Sequence, residues 1–445
     1  MTEAWLIKNA ELVNEGRRRQ ADLRIRAGRI DAIGSDLDAR DGEHVFDASG
    51  LWLLPGMIDD HVHFREPGYT AKADIASESR AAVAGGVTSF IEMPNTNPPT
   101  LTNALLEDKY AIAARMSVAN YAFYFGASND NLDAIRALDP RTVPGVKVFL
   151  CESTGNLCVS DPIALDGVFR DSPVNVVVHC EDDRIIHANL DRAKEKYGDA
   201  IPMAMHPRIR SRKACFESTR WAVETARRFG TRLHVLHVST ADELALFEPG
   251  PLAEKKITAE TCVHFLRWSD ADYATLGGKI KCNPAIKAAS DRDALTRALA
   301  DGRLDILATD HAPHLLEEKA QPYTRCPSGI PLIQYALQSA LESVFTGDFS
   351  LERLVETVAH APATLFAIED RGFLREGYHA DLVLVDPGRP HAVRRDEILS
   401  KCGWSPFEGD TFRSSIAATF VNGRLVARDG KLLDAGMGMR LEFAR

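Results

Sequence analysis

The sequence predicts an α/β chain in which a (β/α)8 TIM-type barrel carries a small β-sandwich domain built from both termini. Three observations predict it. Residues 5–54, and again the chain from "ADLVLVDPG" onward, run in short alternating apolar segments broken by Gly and Asp turns. Between them, β-branched runs alternate eight times with helical stretches. No Gly-rich nucleotide fingerprint or P-loop follows the first of those runs, which speaks against a doubly wound open sheet. The expected boundaries are 1–55 and 366–445 for the two parts of the β-domain and 56–365 for the barrel.

In chain order, the strands "WLIKNAELV", "ADLRIRAGRIDAIG" and "HVFDASGLWLLPG" open the β-domain. The barrel strands are "GMIDDHVH", "VTSFIEM", "NYAFYFG", "GVKVFL", "VNVVVHC", "RLHVLHV", "KKITAETCVH" and "RLDILATDH". Stretches such as "KADIASESRAAVAGG", "TNALLEDKYAIAARM" and "FESTRWAVETARRFG" have the apolar spacing of the intervening helices. "ADLVLVDPG" and "IAATFVNGRLVARDGKLL" return to the β-domain. Internal repeats and low-complexity tracts are not seen.

Bulk composition narrows the function classes. At 445 residues, 45% of them hydrophobic and 26% charged, the chain has ordinary globular composition. With 53 basic against 63 acidic residues its net charge is −10, which opposes nonspecific binding to nucleic acid or an anionic membrane. A small anionic substrate is still allowed, because one local arginine can dominate a pocket. No window approaches the ~20 apolar residues of a membrane span. The eight cysteines form no CxxC pair and the start lacks the order of a signal peptide, so a reduced, cytoplasmic protein is expected.

A barrel of this type carries its chemistry where its strands end, at the C-terminal face. Those ends hold an unusual set: His61 and His63 on the first strand, Lys147 on the fourth, His179 on the fifth, His237 on the sixth and Asp310 on the eighth. Alternate residues of a strand share a face, so His61 and His63 point the same way. One histidine at a strand end is more often a hydrogen-bonded core residue than a ligand. Four of them with an aspartate, all at the same end, suit Zn²⁺ or another divalent transition ion. By contrast His187, His206, His360, His379 and His391 sit in helical or loop contexts and read as structural or surface residues. His234 lies three residues before His237 and is expected to face the other way.

Lys147 stands inside "GVKVFL", where a buried strand is predicted. A lysine there loses hydration and needs either a carboxylate partner or a use for a depressed pKa. A neutral amine beside metal ions can react with CO₂ to give a carbamate, a carboxylate-bearing side chain able to bridge two ions.

The ordered set "PGMIDDHVHFREPG", "GGVTSFIEMPNTNPPT", "GVKVFL", "VVVHCED", "LHVLHVST", "KCNPAIK" and "ATDHAPH" resembles the amidohydrolase superfamily. Within it the chain is most similar to the dihydroorotases of the cyclic-amidase branch, nearly end to end. The resemblance implies His61, His63 and Asp310 on one divalent ion, taken as Zn²⁺, and His179 and His237 on a second, with carboxylated Lys147 bridging both. Some relatives use an aspartate just downstream instead; here that segment, "CESTGN", offers only Glu152, so Lys147 is the better candidate. The resemblance puts Arg65 and Asn95 on a substrate carboxylate, and Asn283, His314 and the backbone of Ser328 and Gly329 against the ring. It implies reversible hydrolysis of L-dihydroorotate to N-carbamoyl-L-aspartate, with Asp310 as general base and then acid, and the segment "HAPHLLEEKAQPYTRCPSG" as a lid. A homo-oligomer, with aspartate transcarbamoylase as a partner enzyme, is the expected setting. Two other readings stand beside it: another cyclic amidase such as an allantoinase or hydantoinase, and a metal-free scaffold homologue.

Overall fold

The computed structural model describes residues 3–151, 157–433 and 436–445; Glu152 lies outside them. Its centre is a set of parallel strands in chain order. Met57–Val62, Val87–Glu92 and Asn120–Phe123 pair with one another. Phe125–Gly126 continues the third strand and starts a second run through Gly145–Phe149, Asn175–His179, Leu233–Val235, Ile257–Cys262 and Ile306–Ala308. The last strand turns back to the first: Val62 and His311 form a parallel bridge, and the His63 N–H donates to the His311 carbonyl at 2.7 Å. This is the order that eight alternating β/α units dictate.

These strands are buried along their whole length rather than on alternate residues, because helices cover their outer faces. The helices start where the sequence supplies caps. The Asp74 carboxylate accepts from Ser77 N at the start of Ile75–Ala84, Asp182 accepts from the first turn of Asp183–Tyr197, and Ser211 caps Arg212–Phe229. With every strand's C-terminal end on one side, the loops that follow converge there.

The two termini meet in the β-domain. Leu382–Asp386 pairs antiparallel with Trp52–Pro55, which joins the N-terminal strands to Ser415–Val421 and Arg424–Arg428. Hydrogen bonding links all nine strands into one sheet that folds over on itself: Trp5 and Phe46, several strands away in the pairing order, bring their rings to 5.4 and 6.5 Å from Phe420. The linking strand is Ala4–Asn14, whose single edge serves two parallel partners, Glu43–Asp47 along its first half and Trp52–Pro55 along its second. A register shift between Ile7 and Ala10, with Asn9 at φ 63°, lets the strand change partner. Trp5, Leu23, Ile25, Leu382 and Phe420 fill the core of this sheet. Asp381 locks it to the parallel strands, pairing with Arg371 and accepting from Asn120 Nδ2 and the Asn422 backbone.

Two C-terminal stretches pack on the strand-and-helix body itself. Ser400 and Lys401 hydrogen-bond the buried Glu78, and Trp404 Nε1 donates to the His314 carbonyl at 2.8 Å. Further on, the main chain around Arg440 pairs with Tyr121.

Candidate metal centre and substrate cavity

All the residues singled out from the sequence except His314 line one cavity of about 320 Å³ at the C-terminal ends of the strands. Chain geometry aims them there at some cost. Arg65, His237 and Asp310 hold left-handed backbone angles, φ 69°, 40° and 49°. Non-glycine residues are held there against a cost of order 1–3 kcal/mol each when the surroundings fix them.

Two nitrogen-rich clusters result. In the first, one oxygen of Asp310 lies 3.3 Å from His61 Nε2 and 3.2 Å from His63 Nε2. The other ring nitrogens are already engaged: His61 Nδ1 lies 2.7 Å from Glu260 and His63 Nδ1 lies 2.8 Å from the Asn95 side-chain oxygen. Both acceptors take a proton from Nδ1, which leaves a lone pair on each Nε2. Burial pushes His63 down to about 4, so that ring is neutral at ordinary pH. Two lone pairs facing a carboxylate oxygen repel it, and a cation among the three turns that repulsion into ligation.

In the second cluster His179 gives its Nε2 proton to Glu181 at 3.0 Å and turns Nδ1 toward His237 Nε2, 2.8 Å away. His237 Nδ1 is buried without a hydrogen-bond partner among the described residues. Burial raises the Glu181 carboxyl, but Arg210 and then His179 outweigh it and bring the acid down to about 2. Lys147 lines the same cavity, is 1% exposed, and its amine has no hydrogen-bond partner among the described residues. Burial pushes that amine down to about 7, against the pull of Glu260 and Asp310. The donor set therefore fits two divalent ions, and an unpaired amine near neutrality fits carbamate formation beside them.

The wall around this centre is chemically specific. Arg65 is buried; its Nε donates to the Pro313 carbonyl at 3.2 Å, and Nη1 has no partner among the described residues. The Asn283 side-chain oxygen is buried and has no hydrogen-bond partner among the described residues. Gly329 closes the cavity so tightly that a Cβ would sit 2.4 Å from the Ala312 carbonyl, and its φ of 144° belongs to glycine. His314 stands behind Arg65 and not in the cavity. Lys72 Nζ lies 3.0 Å from its Nδ1, and its Nε2 lies 3.1 Å from Arg65 Nη2 and 3.0 Å from the Ser328 carbonyl.

Further residues frame the cavity. Two buried lysines bind backbone carbonyls of the segment expected as a lid. Lys319 Nζ donates to the carbonyls of Lys281, Pro327 and Gly329, and Lys281 Nζ to those of Tyr323 and Cys326. His234 does not face away: it is fully buried and approaches Glu260 from within the ring of strands. Parity fails because the strand ends at Val235 and His237 has left extended geometry. Arg210, Glu181 and Glu260 are site residues that sequence reasoning passed over. Glu260 carried the same signal as Lys147, a charged residue inside a buried strand.

Comparison with known proteins agrees with this geometry. The amidohydrolase family, as a sequence model, matches residues 52–426. A dihydroorotase of Halobacterium salinarum is 38% identical over 408 residues, 91% of this chain and 92% of its own. An allantoinase of Bacillus velezensis is 30% identical over 440 residues, 97% of this chain and 95% of its own. Among solved structures, the L-hydantoinase (dihydropyrimidinase) from Arthrobacter aurescens aligns with a TM-score of 0.93 at 28% identity, over 99% of this chain and 100% of that one. With a nitrogen-rich metal centre at the strand ends and relatives matched along almost their whole length, the chain belongs to the amidohydrolase family, as a metal-dependent cyclic amidohydrolase.

Proposed function

We propose that the chain is a dihydroorotase, hydrolysing the cyclic amide of L-dihydroorotate reversibly to N-carbamoyl-L-aspartate, at the C-terminal face of a (β/α)8 barrel of the TIM type. The observation that carries the reading is Arg65: a buried guanidinium with a free Nη1, in the wall of a cavity that also holds the two imidazole clusters. A carboxylate on the ring is what such a group recognises, and a charge-assisted pair is among the stronger polar contacts.

In this reading His61, His63 and Asp310 would hold one Zn²⁺ and His179 and His237 a second, with carboxylated Lys147 as the ligand they would share. Ions so held supply Lewis-acid polarisation and an acidified water, the chemistry that amide hydrolysis needs. The remaining work falls to the chain. Asp310 takes the proton of the attacking water on its carboxylate and returns it to the ring nitrogen as the C–N bond breaks. Arg65 clamps the substrate carboxylate, and the Asn95 amide, whose oxygen is taken by His63, offers it N–H donors. The orphan oxygen of Asn283 accepts the ring N–H. His314, with both nitrogens engaged, holds Arg65 in place, while Ser328 and Gly329 form the surface on which the ring lies. The reading extends to a cytoplasmic homo-oligomer that works beside aspartate transcarbamoylase.

A second reading, another cyclic amidase, is favoured by the allantoinase relative and the L-hydantoinase structure. The scaffold alternative has no support, since every ligand position is filled. Purified protein supplied with zinc and bicarbonate separates the two enzymatic readings. Selective turnover of L-dihydroorotate over allantoin and hydantoin is expected; turnover of only an uncharged ring refutes the dihydroorotase reading and keeps the metal centre.

A further inference from the structure

Glu260 divides its carboxylate between two neighbourhoods. One oxygen meets His61 Nδ1 and the His237 backbone N–H; the other points away from the cavity, to His234 Nε2 at 3.4 Å. On that side lies Asp60, brought within the ring of strands by a register shift between Asp59 and Val62. One of its oxygens is 3.6 Å from His234 Nε2, and neither has a hydrogen-bond partner among the described residues. Asp60, His234 and Glu260 are each 0% exposed.

The Thr258 hydroxyl lies 2.8 Å from His234 Nδ1 and 3.2 Å from the Leu233 carbonyl. With its proton on that carbonyl it accepts from Nδ1, and His234 Nε2 then turns a lone pair toward two buried carboxyl groups. Such an arrangement is strongly unfavourable in a low-dielectric interior unless a metal cation or a shared proton sits among the three. The spacing of the three groups matches a divalent ion. Metal–ligand bonds of about 2.0–2.2 Å at tetrahedral angles separate ligand atoms by about 3.3–3.6 Å, which spans the 3.4 and 3.6 Å found here. The Tyr124 hydroxyl, buried and also unpartnered, feels Asp60 most strongly among its charged neighbours and offers a further oxygen.

We propose that Asp60, His234 and Glu260 form a separate buried metal site for a zinc-like divalent ion, distinct from the cavity and structural in role. The imidazole selects a transition ion over Mg²⁺ or Ca²⁺, whose ligands are oxygens. An ion there fixes the Glu260 carboxylate and, through its other oxygen, the orientation of His61.

The test is anomalous diffraction across the zinc absorption edge, on crystals of the full chain produced and crystallised with zinc. A peak among His234 Nε2, Asp60 and Glu260 is expected, and it supports the proposal whether or not the cavity also shows zinc. In parallel, His234→Gln is expected to lose one zinc equivalent per chain by elemental analysis while keeping any cavity peaks. Crystals without a peak at this site overturn the proposal and leave protons shared among the three side chains as the compensating charge. A His234→Gln protein with undiminished zinc overturns it equally. If that variant does not fold, the wild-type map decides. Failure of dihydroorotate turnover would leave this result untouched, so the two readings stand or fall separately.

Discussion

Replacing Arg65 by lysine separates charge from geometry at the one residue on which the substrate assignment rests. The guanidinium holds the Pro313 carbonyl through Nε and keeps Nη1 open toward the cavity. Lysine keeps the positive charge but its single ammonium cannot hold the Pro313 carbonyl and also present a fixed donor where Nη1 stands. The loss is then one charge-assisted hydrogen bond, about 1.5–3 kcal/mol, or roughly 10- to 150-fold in kcat/KM at about 1.4 kcal/mol per decade. For an uncharged ring such as hydantoin the same substitution removes nothing that the substrate used. The assay is kcat/KM for L-dihydroorotate and for hydantoin, wild type beside variant, with zinc per chain measured on both. Arg65 contacts neither imidazole cluster, so zinc content should not move. Equal losses on both rings, or a fall in zinc, would refute the reasoning by showing that Arg65 supports the metal centre and does not read the substrate.

Three further outcomes follow from the same geometry. Asp310→Asn is expected to lower kcat by about 10²–10⁴-fold, the usual worth of a general acid–base group; near-normal single-turnover rates would remove Asp310 as the proton carrier. Lys147→Ala takes the amine out of the cavity, and elemental analysis should find less zinc than in wild type; undiminished zinc with normal kcat would refute its bridging role. His206 is depressed well below its ordinary range by burial and then by Lys281, while its ring bonds Tyr323 and the Cys282 carbonyl. Below about pH 6.5 the unfolded chain takes up a proton there that the folded chain refuses, so stability is lost as pH falls. Between pH 6 and pH 5 that loss is about 1 kcal/mol. Urea unfolding of His206→Gln should show a correspondingly shallower slope over that interval, and an unchanged slope would refute the assignment.

What could be read from the chain depended on whether a position is set locally or by a distant strand. His61, His63, His179 and Asp310 were legible because each stands at the end of a β-branched run, and the end of a run is a local property. Lys147 was legible because a lysine in such a run contradicts its surroundings. Their partners were not. That Asn95 turns its oxygen to His63, or that Glu260 reaches both His61 and His234, depends on which strands become neighbours and how far each is shifted. His234 shows the limit most clearly. Counting residues from His237 assumes an unbroken strand, yet the chain leaves extended geometry between them, so two imidazoles of nominally opposite parity both enter the ring of strands. The single nine-stranded sheet has the same origin, since one edge of Ala4–Asn14 serves two partners and no residue pattern marks the exchange. His314 was placed in the right neighbourhood but one layer too far forward. Lys72 and Ser328 both claim its ring, and a ring with two committed nitrogens can position Arg65 better than it can bind a substrate. The rule that singled out Lys147 applies with equal force to Glu260 and Asp60, because a buried strand tolerates no uncompensated charge of either sign. Each such residue therefore points to a partner that its own segment does not contain, and for Asp60 the described residues supply none.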